Sequence, residues 1–128
     1  MKYLLTFLIL LFLIPMFSQK DTIIEGVSYN FIKTYKNKDL KVLGNKNSEN
    51  IKIGHWIKYT KAGKVKYEGN YINNRKAGIW ILTDKFGRCC WTGRYVNGLK
   101  EGEWTRGLRT IVIFKRGIKV SYIISKTE

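Results

Sequence analysis

The chain has 128 residues, with 24 Lys and Arg against 9 Asp and Glu, 12 Gly, one Pro, two Cys and one His. That length holds at most one compact domain. The first 18 residues carry a single charge, Lys2, so without them the net charge falls only from +15 to +14 and the basic bias belongs to what remains. From residue 19 onward Leu stands only at 40, 43, 82, 99 and 108 and Ala only at 62 and 77. This argues against a helical domain, because Ala and Leu favour helices most, while the abundant Tyr, Trp, Ile, Val, Gly and Asn suit strands joined by tight turns.

In chain order, Lys2, the apolar run 3–17 broken by Pro15, and Ser18 followed by Gln19 form the pattern of a secretory signal peptide cleaved near Ser18/Gln19. A retained membrane anchor is the rival reading, but the run is shorter than the roughly 20 apolar residues a spanning helix needs. The chain is therefore expected to be exported, in the periplasm, on the cell surface or secreted. Export implies an oxidising compartment. Cys89 and Cys90 are adjacent, and neighbouring strand residues point to opposite faces, so one buried and one exposed thiol are expected, with Cys90 a possible cross-link between two copies.

Residues 19–53 read as N-terminal strands leading into a degenerate first repeat. Tyr35 and Gly44 are spaced nearly as Tyr59 and Gly69 are, without the Trp, and 41–50 is the best candidate for a mobile loop. From residue 54 a period of 24 governs the chain. Gly54, Gly78 and Gly102 share it, as do Trp56, Trp80 and Trp104, and the pairs Gly63 and Gly87, Gly69 and Gly93, and Tyr71 and Tyr95; Tyr67 falls on Trp91. A fixed period of this length marks a tandem structural unit.

Each unit reads as two strands. Val65, Tyr67, Gly69 and Tyr71 alternate with Lys64, Lys66, Glu68 and Asn70, and 88–95 repeats the pattern with Cys90 on the polar side. Gly63, Gly87 and Asn97-Gly98 mark turns. Gly69 and Gly93 lie inside strands, where Gly is normally unfavourable, and are expected to leave room for a Trp or Tyr ring to lie flat on the backbone. Trp56, Tyr67, Tyr71, Trp80, Trp91, Tyr95 and Trp104 then form a thin aromatic core. After Trp104 the unit shortens, and 118–124 supplies a capping strand, as the ends of repeat arrays require. The expected fold is all-β, an elongated single-layer antiparallel meander of repeated β-hairpins, with 54–128 as the repeat domain.

Catalysis is poorly supplied. His55 has no Ser or Cys nucleophile near it in sequence and reads as a surface imidazole; Glu101 and Glu103 read as partners of Lys100 and Arg106; Gly63-Lys64 lacks the longer Gly-rich turn of a phosphate loop. One His and no C-x-x-C give no metal site, and no cofactor is expected. The positive charge carries more functional content. Lys61 pairs with Lys85, Lys64 with Arg88 and Lys76 with Lys100 in the repeat columns, all placed at turns or on the polar face. Equivalents two strands apart stand about 10 Å from one another, near the screening length, so they are expected to repel little. Together they form a candidate surface for anionic lipid or acidic glycan; the compartment argues against nucleic acid.

The string Gly54-x-Trp56-x-x-Tyr59-x-x-x-Gly63-Lys64, with Glu68-Gly69-x-Tyr71, Gly78-x-Trp80 and Tyr95-Val96-Asn97-Gly98-x-x-x-Gly102-x-Trp104, resembles the bacterial variant of the MORN repeat. Thr83 in the Tyr column and the shortened third unit depart from that pattern. The resemblance implies stacked β-hairpins in a single-layer sheet and a non-catalytic role as a protein-interaction or envelope scaffold. Some bacterial members carry the label of antitoxin component, which leaves an antitoxin-like or immunity-like partner of a neighbouring effector as an alternative. The partner is expected to be another protein or an anionic envelope surface, with a homodimer through the aromatic face or Cys90 also open.

Overall fold

The computed structural model describes residues 22–24, 26–84, 86–88, 90–107 and 109–124. The proposed signal peptide, Lys85 and Cys89 lie outside the described residues. Among the described residues there are eleven strands: β1 (Thr22–Ile24), β2 (Val27–Tyr29), β3 (Phe31–Thr34), β4 (Leu40–Lys46), β5 (Lys52–Tyr59), β6 (Val65–Ile72), β7 (Arg75–Leu82), β8 (Trp91–Val96), β9 (Leu99–Arg106), β10 (Thr110–Lys115) and β11 (Ile118–Ile124). β3 to β11 pair in chain order into one nine-stranded antiparallel sheet, and β1 and β2 form a separate hairpin. The sheet is the all-β meander expected from the repeat, and it does not close into a barrel.

From β5 to β9 the turns alternate between two kinds, one on each long rim; the β4–β5 turn, closed by Asn47 N–H donating to Ile51 O, is a five-residue turn on the rim that otherwise carries two-residue turns. On one rim, Asn73–Asn74, Asn97–Gly98 and Arg116–Gly117 each place two successive residues at positive φ, the geometry of the two-residue turn whose twist matches that of paired strands. On the other rim the chain closes five-residue turns, with Thr60 N–H donating to Lys64 O and Asp84 N–H donating to Arg88 O. The Asp84 carboxylate accepts from the Phe86 and Arg88 N–H groups inside its turn, so a short polar side chain satisfies donors that the ladder leaves over.

The Gly-x-Trp motif has a single geometric cause. Gly69 on β6 stands alone opposite 78–80 on β7, because the register runs from Glu68↔Ile81 directly to Asn70↔Ala77. Gly44 against 54–56 and Gly93 against 102–104 repeat this bulge. Gly54, Gly78 and Gly102 open it at φ of +62°, +69° and +69° with nothing near their missing side chains, which L-residues adopt only at a penalty. The bulge turns the following Trp back over the neighbouring strand. A Cβ on Gly44, Gly69 or Gly93 would lie 2.1, 2.3 or 2.3 Å from the ring of Trp56, Trp80 or Trp104. The indole N–H of each ring donates to the carbonyl just beyond that glycine, those of Asn45, Asn70 and Arg94, at 3.2, 3.1 and 3.2 Å.

The rings so placed make the core. Phe31, Trp56, Tyr71, Trp80, Tyr95, Trp104 and Phe114 follow one another at centroid separations of 5.1 to 6.3 Å, edge to face beyond the first pair. Trp56, Trp80 and Trp104 are fully buried although the described residues place no second sheet over them, because each lies against backbone. Burial of a Trp removes on the order of 150–250 Å² from water, an upper estimate of roughly 4–6 kcal/mol apiece.

Three expectations are corrected. Residues 41–50 are not a mobile loop: 40–46 is strand β4 with Leu43 and Gly44 buried, and Asn47 closes a short turn by accepting from the Glu49 and Ile51 N–H groups. The strand expected from residue 88 begins at Trp91, and Cys90 stands outside the ladder. Cys90 is disulfide-bonded rather than a free exposed thiol.

Candidate functional site

The sheet has two unlike faces. The second face, opposite the rings, is covered near its N-terminal end by the β1–β2 hairpin, where Tyr29 and Leu43 are buried. His55 is the fastener. Its Nδ1 lies 3.2 Å from the Tyr29 hydroxyl and its Nε2 lies 2.9 Å from Glu68 Oε1. The only His of the chain thus bridges the hairpin to β6 rather than standing as a surface imidazole. Asn45 and Asn30 add four more bonds across the same junction.

Beyond the hairpin the second face is open. Ile79 and Ile81 on β7 are 55% and 38% exposed, and Arg94 of β8 lies opposite Ile79 and Glu101 in the two adjoining ladders. Glu101 and Glu103 do not pair with Lys100 or Arg106 among the described residues. Instead Glu101 Oε2 accepts from the Arg116 N–H at 2.7 Å, holding the last turn. Among the described residues no three His, Cys, Asp or Glu gather as metal ligands.

The six basic residues singled out by the repeat fall into two groups. Lys61, Lys64 and Arg88 are exposed on the five-residue turns. Arg88 is already engaged, its Nε donating to Asp84 Oδ2 at 2.8 Å and its guanidinium lying 4.7 Å from the Phe86 ring. Their column partner Lys85 lies outside the described residues. Lys76 and Lys100 are elsewhere. They sit directly opposite Tyr71 and Tyr95 in the ladders, hence on the aromatic face near the two-residue turns, not on the polar face.

Two further lysines share that position and were missed. Lys52 is one period before Lys76, and Lys119 faces Phe114 as Lys76 faces Tyr71. Each ammonium rests on rings: Lys52 at 4.7 Å from Trp56 and 4.8 Å from Tyr71, Lys76 at 4.6 Å from Trp80 and 4.8 Å from Tyr95, Lys100 at 4.3 Å from Trp104 and 4.8 Å from Phe114, and Lys119 at 4.4 Å from Tyr122. Such contacts attract a cation to the electron-rich ring face. Burial, first, and the charges of neighbouring lysines, second, push the Lys52 and Lys76 ammoniums below their ordinary pKa; burial alone does so for Lys100. At Lys76 the neighbouring charges are those of Lys100 and Lys52. None of the four pairs with a carboxylate among the described residues. The 24-residue column itself signalled Lys52; Lys119 was hidden by the shortened last unit.

Comparison with known proteins finds no matching family model, no matching curated protein and no matching solved structure.

Proposed function

We propose that the chain is a non-catalytic, exported interaction module of the cell envelope, built from repeats of the kind found in the bacterial MORN variant. The observation that carries the reading is the contrast between the faces. The aromatic face is sealed by its own rings, whereas the second face leaves Ile79 and Ile81 bare beside the hairpin-covered end. Exposed apolar residues clustered on a rigid sheet suit a protein partner. With Arg94 beside them and a net charge of +15 on the whole chain, the fitting partner presents an apolar patch rimmed by acidic side chains.

The product of the adjacent gene is the first partner to test. Co-expression should give co-elution that is lost in an Ile79→Lys/Ile81→Lys double variant that remains folded. Co-elution indifferent to that variant, absence of a complex, or a defined turnover abolished by His55→Ala would overturn the reading.

A further inference from the structure

We propose that Lys52, Lys76, Lys100 and Lys119 form a binding site for a linear acidic polysaccharide, laid across the strands with an acid group at each rung. This goes beyond the protein-binding reading and uses the opposite face of the sheet. The four lysines occupy β5, β7, β9 and β11, each next to a two-residue turn or the strand that leaves one. Alternate strands stand about 10 Å apart, so the ammoniums form a single file with that repeat.

Three features make the file a site rather than a solvated face. Its ammoniums are clamped over rings and so lose little freedom on meeting a ligand. They have no carboxylate partner among the described residues. Burial disfavours the charge of Lys52, Lys76 and Lys100 in the free protein, and the charges of Lys100 and Lys52 add to this at Lys76; an incoming anion relieves both.

The form of the ligand follows from the shape of the file. Successive strands in a sheet rotate by roughly 20–25°, so consecutive rungs turn by about 40–50° and the ends of the file point in very different directions. A flat bilayer meets only one or two rungs at once, whereas a flexible linear polymer can follow all four. Single-stranded nucleic acid binds with stacking on open aromatic faces, and here Trp56, Trp80 and Trp104 are buried. The neutral bodies of sugar rings need no such platform. A polymer with one carboxylate per disaccharide has its acids far enough apart to reach successive rungs without crowding.

The test uses the full chain and immobilised hyaluronate, with dextran as the neutral control. Lys→Met at 52, 76, 100 and 119 keeps apolar stems over the rings while removing the charges, and circular dichroism with Trp fluorescence verifies the fold. Binding to hyaluronate should weaken at least tenfold in that variant and at raised salt. It should stay within twofold of the parent in Lys61→Gln/Lys64→Gln/Arg88→Gln and in Ile79→Lys/Ile81→Lys. If the quadruple variant does not stay folded, Lys76→Met and Lys100→Met alone should each weaken binding, and Lys76→Arg should retain it. Equal loss in the turn variant, no binding to hyaluronate, or tighter binding to phosphatidylglycerol vesicles or to an oligonucleotide would overturn the proposal.

Discussion

Gly69→Ala is the sharpest probe of how this sheet packs. The added methyl would stand 2.3, 2.4 and 2.6 Å from Cδ2, Cε2 and Cγ of Trp80, where carbon atoms rest about 3.5–4.0 Å apart. The ring must therefore lift by more than an ångström. It cannot do so freely, since its N–H is bonded to Asn70 O at 3.1 Å and its faces and edges meet Tyr71 at 5.1 Å and Tyr95 at 5.8 Å. Overpacking of this kind costs about 1–3 kcal/mol, and loss of the indole hydrogen bond adds about 1 kcal/mol. The stiffer unfolded chain gives back roughly 0.4–1 kcal/mol. The net destabilisation should be about 1–3.5 kcal/mol.

The matched control is Gly78→Ala. Nothing lies within 4 Å of the Cβ that this change adds, and only the positive φ of +69° opposes it, a penalty of about 1–2 kcal/mol. Urea denaturation followed by Trp fluorescence and circular dichroism separates the two. Gly69→Ala should lower the midpoint further than Gly78→Ala and should also shift the Trp emission, because only it displaces a ring. In a Trp80→Leu background the difference between the two alanines should shrink, since the clashing ring is gone. Equal destabilisation by the two substitutions, or an unchanged emission in Gly69→Ala, would refute the bulge-and-ring argument.

His55→Ala should loosen the β1–β2 hairpin without unfolding the sheet, because it removes the bridge between Tyr29 and Glu68, with about 1 kcal/mol at stake per bond; hydrogen exchange should accelerate at 22–30 and stay unchanged in β7 to β9, and uniform protection of the hairpin would contradict this. Arg116 holds φ of +49° in the last two-residue turn, a conformation Asn tolerates better than Arg, so Arg116→Asn should stabilise the chain by about 0.5 kcal/mol in the same urea assay. Alkaline pH should act in two opposite stages. Lys52, Lys76 and Lys100 titrate below their ordinary 10.5, so just below that value the unfolded chain holds more protons and stability rises with pH; Tyr67, Tyr71 and Tyr95 titrate above their ordinary 10.0, so beyond it the unfolded chain loses protons first and stability falls. The urea midpoint should therefore climb toward about pH 10 and then drop, and Lys76→Met should flatten the climb; a steady decline from neutrality would exclude it.

Much of this fold was legible because its determinants are single residue types at one interval. Gly-x-Trp, the paired glycines and Asn97-Gly98 each have one physical use, so their recurrence fixed hairpins, turns and the stacked rings. The first unit escaped because Gly44 precedes Gly69 by one residue more than the period and Trp56 had been assigned to the next unit; the ring of Trp56 in fact lies on Gly44. The hairpin clip was not readable at all. Tyr29 and His55 are 26 residues apart with no repeated pattern linking them. Lys76 and Lys100 were read from their repeat column as turn or polar-face residues, although a lysine has a stem long enough to cover a ring while its ammonium reaches water.

That last misreading bears on why a one-layer sheet needs lysine here. The fully buried rings of Trp56, Trp80 and Trp104 are closed by the side chains that stand in the adjacent ladder positions, and those positions fall to Lys52, Lys76 and Lys100, with Lys119 over Tyr122 at the end of the file. Leu or Met would seal the rings but would join them into a continuous apolar face, the kind of surface that drives association. Lys closes the rings with its stem and keeps the face wet with its head. The same choice leaves cations in file without a carboxylate partner among the described residues, so the packing solution and the proposed binding site are one set of atoms. The two roles part company under substitution: Lys→Met preserves the seal and removes the charge, whereas Lys→Ala removes both. Polysaccharide affinity should therefore fall alike in the two variants, while stability should fall only in the second.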